Sequence, residues 1–175
     1  MMQTRFKSHG LLHSFLPHAK IGLKATAILR LLVTGVLFFS VTAVALADRV
    51  DDLLKMLQSK TPMDRREAAH ELGRAKDSRA VSPLIAALKD EEPMVRLDVS
   101  GALIEIGEPV VDPLIQAMKL DNDSIFLWNA IRVLEEVGDP KAIEPLKEIE
   151  QKHPDPSIQQ ISKYALEKLQ RTQKP

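Results

Sequence analysis

Between Arg65 and Leu146 the chain repeats one pattern three times. Asp77, Glu108 and Asp139 stand 31 residues apart, and Pro83-Leu84, Pro113-Leu114 and Pro145-Leu146 follow them by six, five and six residues. The middle copy is therefore one residue short. The segments before the acidic residues read RREAAHELGRAKD, VRLDVSGALIEIGE and FLWNAIRVLEEVGD, which stacks Leu72 over Leu103 over Leu134 and Ala68 over Val99 over Ala130. A period this short leaves each copy room for one small supersecondary unit, whose apolar face is covered only by stacking against the next copy.

In the second copy Val95, Val99, Ala102, Leu103 and Ile106 recur at intervals of three and four, the stripe of an amphipathic helix and not the alternation of a strand. Thr61-Pro62, Asp139-Pro140 and Asp155-Pro156 each place a capping oxygen before a proline at the first helical position, where the missing N–H has no partner to lose. Gly107 and Gly138 fall where a helix must end, and Gly73 ends its apolar stripe slightly earlier. The punctuation predicts helices near 48–59, 62–75, 78–89, 93–106, 109–120, 123–136, 140–151 and 156–171. Pro83, Pro113 and Pro145 remove a hydrogen bond early in the second helix of each pair, so those helices are expected to open on a tight or 3₁₀ turn.

The run Arg79-Ala80-Val81-Ser82-Pro83-Leu84-Ile85-Ala86-Ala87-Leu88-Lys89-Asp90, with Val95-Arg96 and the Gly-acidic helix ends, resembles the short HEAT repeats of the phycobilisome-lyase (PBS lyase) type over Val50 to Leu169. The resemblance implies an all-α, right-handed α-solenoid of about three helix pairs. Helix 48–59 matches a second helix and helix 156–171 a first one, so half-repeats are expected to cap both ends. The Arg after the leading Val of the family pattern is kept at Arg65 and Arg96 but is Leu127 in the third copy, and the Val position is Asp64 in the first.

The 128 residues from Asp48 onward are set off from a leader of opposite character. Five of the 24 basic residues and none of the 24 acidic ones precede Asp48, which leaves 19 basic against 24 acidic groups in 48–175, a net charge of −5. That sign argues against a nucleic-acid or anionic-lipid surface, which needs clustered Lys and Arg. Zero cysteines exclude disulfides, thiolate metal sites, a cysteine nucleophile and a lipidated cysteine. Leu31 to Ala47 is uncharged and ends in Ala45-Leu46-Ala47, the small-x-small triplet of an export signal, so cleavage between Ala47 and Asp48 is expected. As a helix this run spans about 25 Å, slightly short of a ~30 Å hydrocarbon core. An uncleaved N-terminal anchor is the alternative, with the domain again outside the cytoplasm because the basic residues precede the run. The expected organisation is a leader over 1–47, a repeat domain over 48–171 and a disordered tail over 172–175.

No catalytic constellation assembles from what remains. His70-Glu71 has the residue types of the metal-binding pair in HEAT-type di-iron hydroxylases, but that family's pair lies where this chain has Arg66-Glu67, and the equivalent positions downstream hold Leu97-Asp98 and Trp128-Asn129. Neither a Gly-x-Ser-x-Gly elbow nor a Gly-rich phosphate loop is present. No cofactor, metal site or catalytic residue is assigned. Periodicity turns Ser82, Lys89, Asp112, Gln116, Lys119, Glu144 and Glu148 of the second helices outward, a mixed-charge row suited to a protein or peptide partner. Phe126, Leu127 and Trp128 form a second candidate contact, since Trp is enriched in interface hot spots; packing of Trp128 near Ile161 and Tyr164 is the alternative. The expected function is an exported, non-catalytic binding module or scaffold acting on a partner in the cell envelope, without nucleic acid. Membrane contact is expected only if the leader stays attached. A bilin lyase or isomerase-like chromophore handler and a structural subunit of an envelope complex are the alternatives.

Overall fold

The structure, a computed structural model of the chain, describes residues 49–172. The leader with its Ala47-Asp48 cleavage position lies outside the described residues, as do residues 173–175. Two units are distinguished, Met1–Ala45 and Leu46–Pro175, and the repeats belong to the second. Among the described residues all regular structure is helical: α1 (49–56), α2 (Pro62–Ala75), α3 (Val81–Ala87), α4 (Pro93–Ile106), α5 (Val111–Leu120), α6 (Ser124–Val137), α7 (Ile143–Lys152) and α8 (Pro156–Thr172). First helices α2, α4, α6 and α8 pack in succession, while α3 contacts α4 and α5, α5 contacts α6, and α7 contacts α8. This is an α-solenoid of helix pairs with half-pairs at both ends. No helix among the described residues is long and apolar enough to cross a membrane.

Each of α3, α5 and α7 opens on a three-residue 3₁₀ turn, Ser78–Ala80, Glu108–Val110 and Pro140–Ala142. Pro83, Pro113 and Pro145 are the third residues of their α-segments, where an N–H has no acceptor four residues back within the segment. Asp77 and Asp139 cap two of these turns by accepting from the backbone N–H of Arg79 and Lys141. In the middle copy Gly107 both ends α4 and precedes the turn, at φ 82° and ψ −136°, so the shortened copy loses its capping side chain and Glu108 moves into the turn. Thr61 has the extended backbone of an N-cap but makes no side-chain cap bond; its N–H donates to Ser59 Oγ instead.

Gly73 does not end a helix. It lies inside α2, buried, where a Cβ would stand 2.7 Å from Ala102 Cα on α4. Left-handed termination of α2 falls to Lys76, the slot taken by Gly107 and Gly138 in the next copies. At the other end, α8 continues through Thr172, one residue into the expected tail, because Leu169 is buried and the Thr172 hydroxyl donates to its carbonyl.

The core is the stacked stripe the repeat predicts. Leu72, Leu103 and Leu134 are fully buried, as are Ala68, Val99 and Ala130 on the first helices and Leu84, Leu114 and Leu146 on the second. Side chains one repeat apart thus fill the space between successive pairs, and each pair is incomplete alone.

Candidate functional site

Ser82, Lys89, Asp112, Gln116, Lys119, Glu144 and Glu148 are all exposed along the second helices. Shallow grooves run between these helices at equivalent places. The first, about 380 Å³, lies between Gln58 near α1 and Pro83 and Ala86 of α3 with Lys89 just beyond it. A second of about 310 Å³ has Ser82 and Lys89 on one wall and Pro113 and Asp121 on the other. The third, about 390 Å³, lies between Lys119 and Met118 of α5 and Glu148 of α7, and ends at His153.

Much of the charge along this row is spent within the stack. Lys89 is ion-paired with Asp121 one repeat away, and its hydrogen bond, with that of the Asp123 N–H, holds the Asp121 carboxyl below the ordinary range. Asp112 accepts from Lys141 at 3.0 Å, and Asp51 from Arg79 at 2.8 Å, a second kind of rung that occupies equivalent places in two repeats. Glu144 pairs with Lys147 and Glu148 with Lys152, each within one helix turn. Ser82, Gln116 and Lys119 make no side-chain ion pair or hydrogen bond among the described residues. For Lys119 the repeat explains why: the position equivalent to Asp121 one copy later is His153. His153 Nδ1 accepts from the Asp155 N–H at 3.1 Å, while its Nε2 is buried without a partner.

The aromatic candidates separate. Phe126 and Leu127 are 2% and 1% exposed and belong to the core, though the Phe126 ring also edges the second of these grooves, with the Lys89 ammonium 5.9 Å from its centroid. Phe126 occupies the slot of buried Val95, and Leu127 stands where the earlier copies have Arg65 and Arg96, with a side chain that packs inward. Trp128 is 43% exposed, with the Arg132 guanidinium 5.0 Å over its ring. It lines a groove with Met94 and Leu97 of α4 and Ile158 of α8; of the two neighbours suggested for it, Ile161 packs against the core and Tyr164 is 62% exposed, and neither lines this groove. That groove is the feature sequence reading missed. Its signal was present, since Met94 and Leu97 depart from the polar face of α4 one repeat before Ile125 and Trp128.

His70 is exposed, and Glu71 is bound to Arg49 and Arg74. Among the described residues no group of three or more His, Cys, Asp and Glu side chains is placed to hold a metal ion.

Stacked helix pairs with a 31-residue period, proline-opened second helices and inter-repeat ion pairs define a repeat solenoid. Residues 50–126 match the family of HEAT repeats, and residues 126–151 match the PBS lyase HEAT-like repeat. Together the matches span more than half of the chain, which belongs to the HEAT-repeat proteins. No curated protein matches. Solved structures that match include the crystal structure of an engineered protein, with 21% identity over 74% of this chain and a TM-score of 0.41. The alignment covers 66% of that protein, just under two thirds of its length.

Proposed function

We propose that this chain is an exported, non-catalytic scaffold that binds a protein or peptide partner along its second helices. The carrying observation is the exposed row from Ser82 to Glu148 over three equivalent grooves, within which Ser82, Gln116 and Lys119 have polar groups not engaged by the stack. HEAT repeats serve in general as protein-interaction surfaces, and a solenoid holds side chains from successive repeats at set spacings before a partner arrives, which lowers the ordering cost of binding. Export rests on the basic, then uncharged, then acidic order of residues up to Asp52, and places the partner in the cell envelope or outside the cell. A chromophore-handling role is the second reading, favoured by the PBS lyase HEAT-like match at 126–151.

Crosslinking and affinity capture of the C-terminally tagged protein from its own cells, with the N-terminal mass read from the same sample, tests the proposal. A chain starting at Asp48 and one dominant envelope partner, lost on Lys119→Glu or Gln116→Arg, is the expected result. Capture unaffected by either substitution, or a chain retained in the cytoplasm, refutes it; a co-purifying pigment turns the assignment to the second reading.

A further inference from the structure

Five large apolar side chains stand on the outward face of the first helices. Met63, Met94 and Ile125 are one repeat apart, as are Leu97 and Trp128, and each is at least 43% exposed. Since α2, α4 and α6 pack in sequence, the five form two short rows running across the helices. The upper part of these rows opens into a groove of about 560 Å³ bounded by Met94, Leu97, Ile125 and Trp128 and closed at α8 by Ile158. Scattered exposed apolar residues are ordinary, but four that line one groove and recur at the repeat period are the pattern of an interaction site.

The charge at this groove is opposite to that of the domain. Arg96 and Arg132 line it, and among the described residues neither is ion-paired with a carboxylate. Arg96 Nη1 donates to the carbonyls of Asp90 and Glu91, which anchors the side chain at the start of α4 without a direct carboxylate contact, its charge reaching the Asp90 carboxylate only at a distance. Arg132 is held over the Trp128 ring. The acid lining the groove is Asp155, whose oxygens already accept from Ser124 Oγ at 3.0 Å and from the Ser157 N–H at 2.8 Å. Two arginines against one occupied carboxylate thus face outward from a domain whose net charge is −5.

We propose that the Trp128 groove docks an acidic amphipathic helix of a partner protein, its apolar face on Met94, Leu97 and Trp128 and its carboxylates on Arg96 and Arg132. Neighbouring helix axes lie about 8–10 Å apart, so the rows from α2 to α6 extend roughly 20 Å. A helix of about fourteen residues has that length. Charge complementarity selects the acidic partner, because a basic helix would bring Lys or Arg against two guanidinium groups with no free carboxylate to receive them. This surface is on the other helix of each pair from the second-helix row, so either site can fail without the other.

Trp128 is the single tryptophan of the chain, and its emission reports on this groove alone. The protein, purified as its cell leaves it, is titrated with a fourteen-residue Leu/Glu amphipathic peptide lacking aromatics, and with the same peptide carrying Lys for every Glu. A saturable blue shift is expected with the acidic peptide, with affinity at least about tenfold above that of the basic one and falling as salt is raised. Measured by anisotropy of the labelled peptide, Arg132→Gln is expected to weaken binding about tenfold, and Leu97→Glu to abolish it. Leu97 is 46% exposed, so its variant keeps the fold, which far-UV circular dichroism checks. Lys119→Glu, on the second-helix row, is expected to bind the peptide as the parent does. Equal binding of both peptides, an unaffected Arg132→Gln, or no shift would overturn the proposal. So would a shift that follows protein concentration without peptide, or one seen only with phosphatidylglycerol vesicles, which would assign the face to self-association or to a membrane.

Discussion

Arg65 is 7% exposed and carries out a task that recurs one repeat later. Its Nη1 donates to the carbonyls of Ser59 and Lys60, six and five residues back, and Arg96 does the same to Asp90 and Glu91. Each arginine ties the preceding turn to the first helix it enters. Arg65 also grips Asp90 with two bonds of 2.7 Å. Burial works to raise the Asp90 carboxyl, but the bonds from Arg65 and from the Glu92 N–H outweigh it and hold the group below the ordinary carboxylate range. The sign of the linkage follows: the pair adds stability above the unfolded value, about pH 4, and loses it as pH falls through the lower folded value. Asp90→Asn is therefore expected to cost about 2 kcal/mol at neutral pH, with the difference from the parent shrinking as the pH falls below the ordinary carboxylate range, read from urea midpoints. Two termination residues give a second prediction at this scale. Gly107 sits at φ 82° and ψ −136°, which side chains scarcely adopt, so Gly107→Ala should lose roughly 1–3 kcal/mol. Lys76, left-handed at φ 49°, should gain roughly 1 kcal/mol as Lys76→Gly, visible as a melting point a few degrees higher.

Helix positions follow from caps and helix spacing from small residues. Pro62, Pro93 and Pro156 begin first helices because the prolyl ring suits the first helical position, and Gly138 ends α6 at φ 79° with its N–H on the Leu134 carbonyl. These devices are local in sequence, which is why the element boundaries were legible there to within a few residues. The approach of α2 to α4 was not. Gly73 on α2 faces α4, and Ala102 fills the space a Cβ on Gly73 would need. Gly101 on α4 is exposed and a Cβ there would meet nothing within 4 Å. Alanine at the two glycines should act in opposite senses. Gly101→Ala is expected to stabilise by up to about 1 kcal/mol through helix propensity. Gly73→Ala is expected to destabilise despite the same propensity gain, because overpacking against backbone costs about 1–3 kcal/mol and α4 can yield only by moving as a body. Thermal denaturation of the two variants decides it.

A solenoid built this way is held together by contacts between neighbours, so its ends carry particular weight. Ile158, Ala165, Leu166 and Leu169 of α8 are buried, and α8 packs on both α6 and α7. Lys168 adds a tie from α8 to Glu136 and Glu135 of α6, and those two carboxylates raise its pKa above the usual lysine range. Removing residues 156–175 is expected to uncover the inner faces of α6 and α7 and to produce dye-binding, aggregating protein instead of a shorter monomer, measurable by sedimentation and ANS fluorescence. At this scale the surface row was partly legible, because helix phase alone turns Ser82, Gln116 and Lys119 outward. Which members of that row were already paired was not, since Lys89 meets Asp121 and Asp112 meets Lys141 only across stacked repeats.

Sequence alone determined the period, the helix pairs, the 3₁₀ openings and the stacked apolar stripe, because each depends on residues within one repeat or on its recurrence. Only the tertiary structure decided that Leu127, in an arginine's slot, turns inward while Trp128 stays exposed, and that Met94, Leu97 and Trp128 border one groove beside two arginines. These are relations between residues about thirty positions apart, and their distances are set by how closely one helix packs on the next.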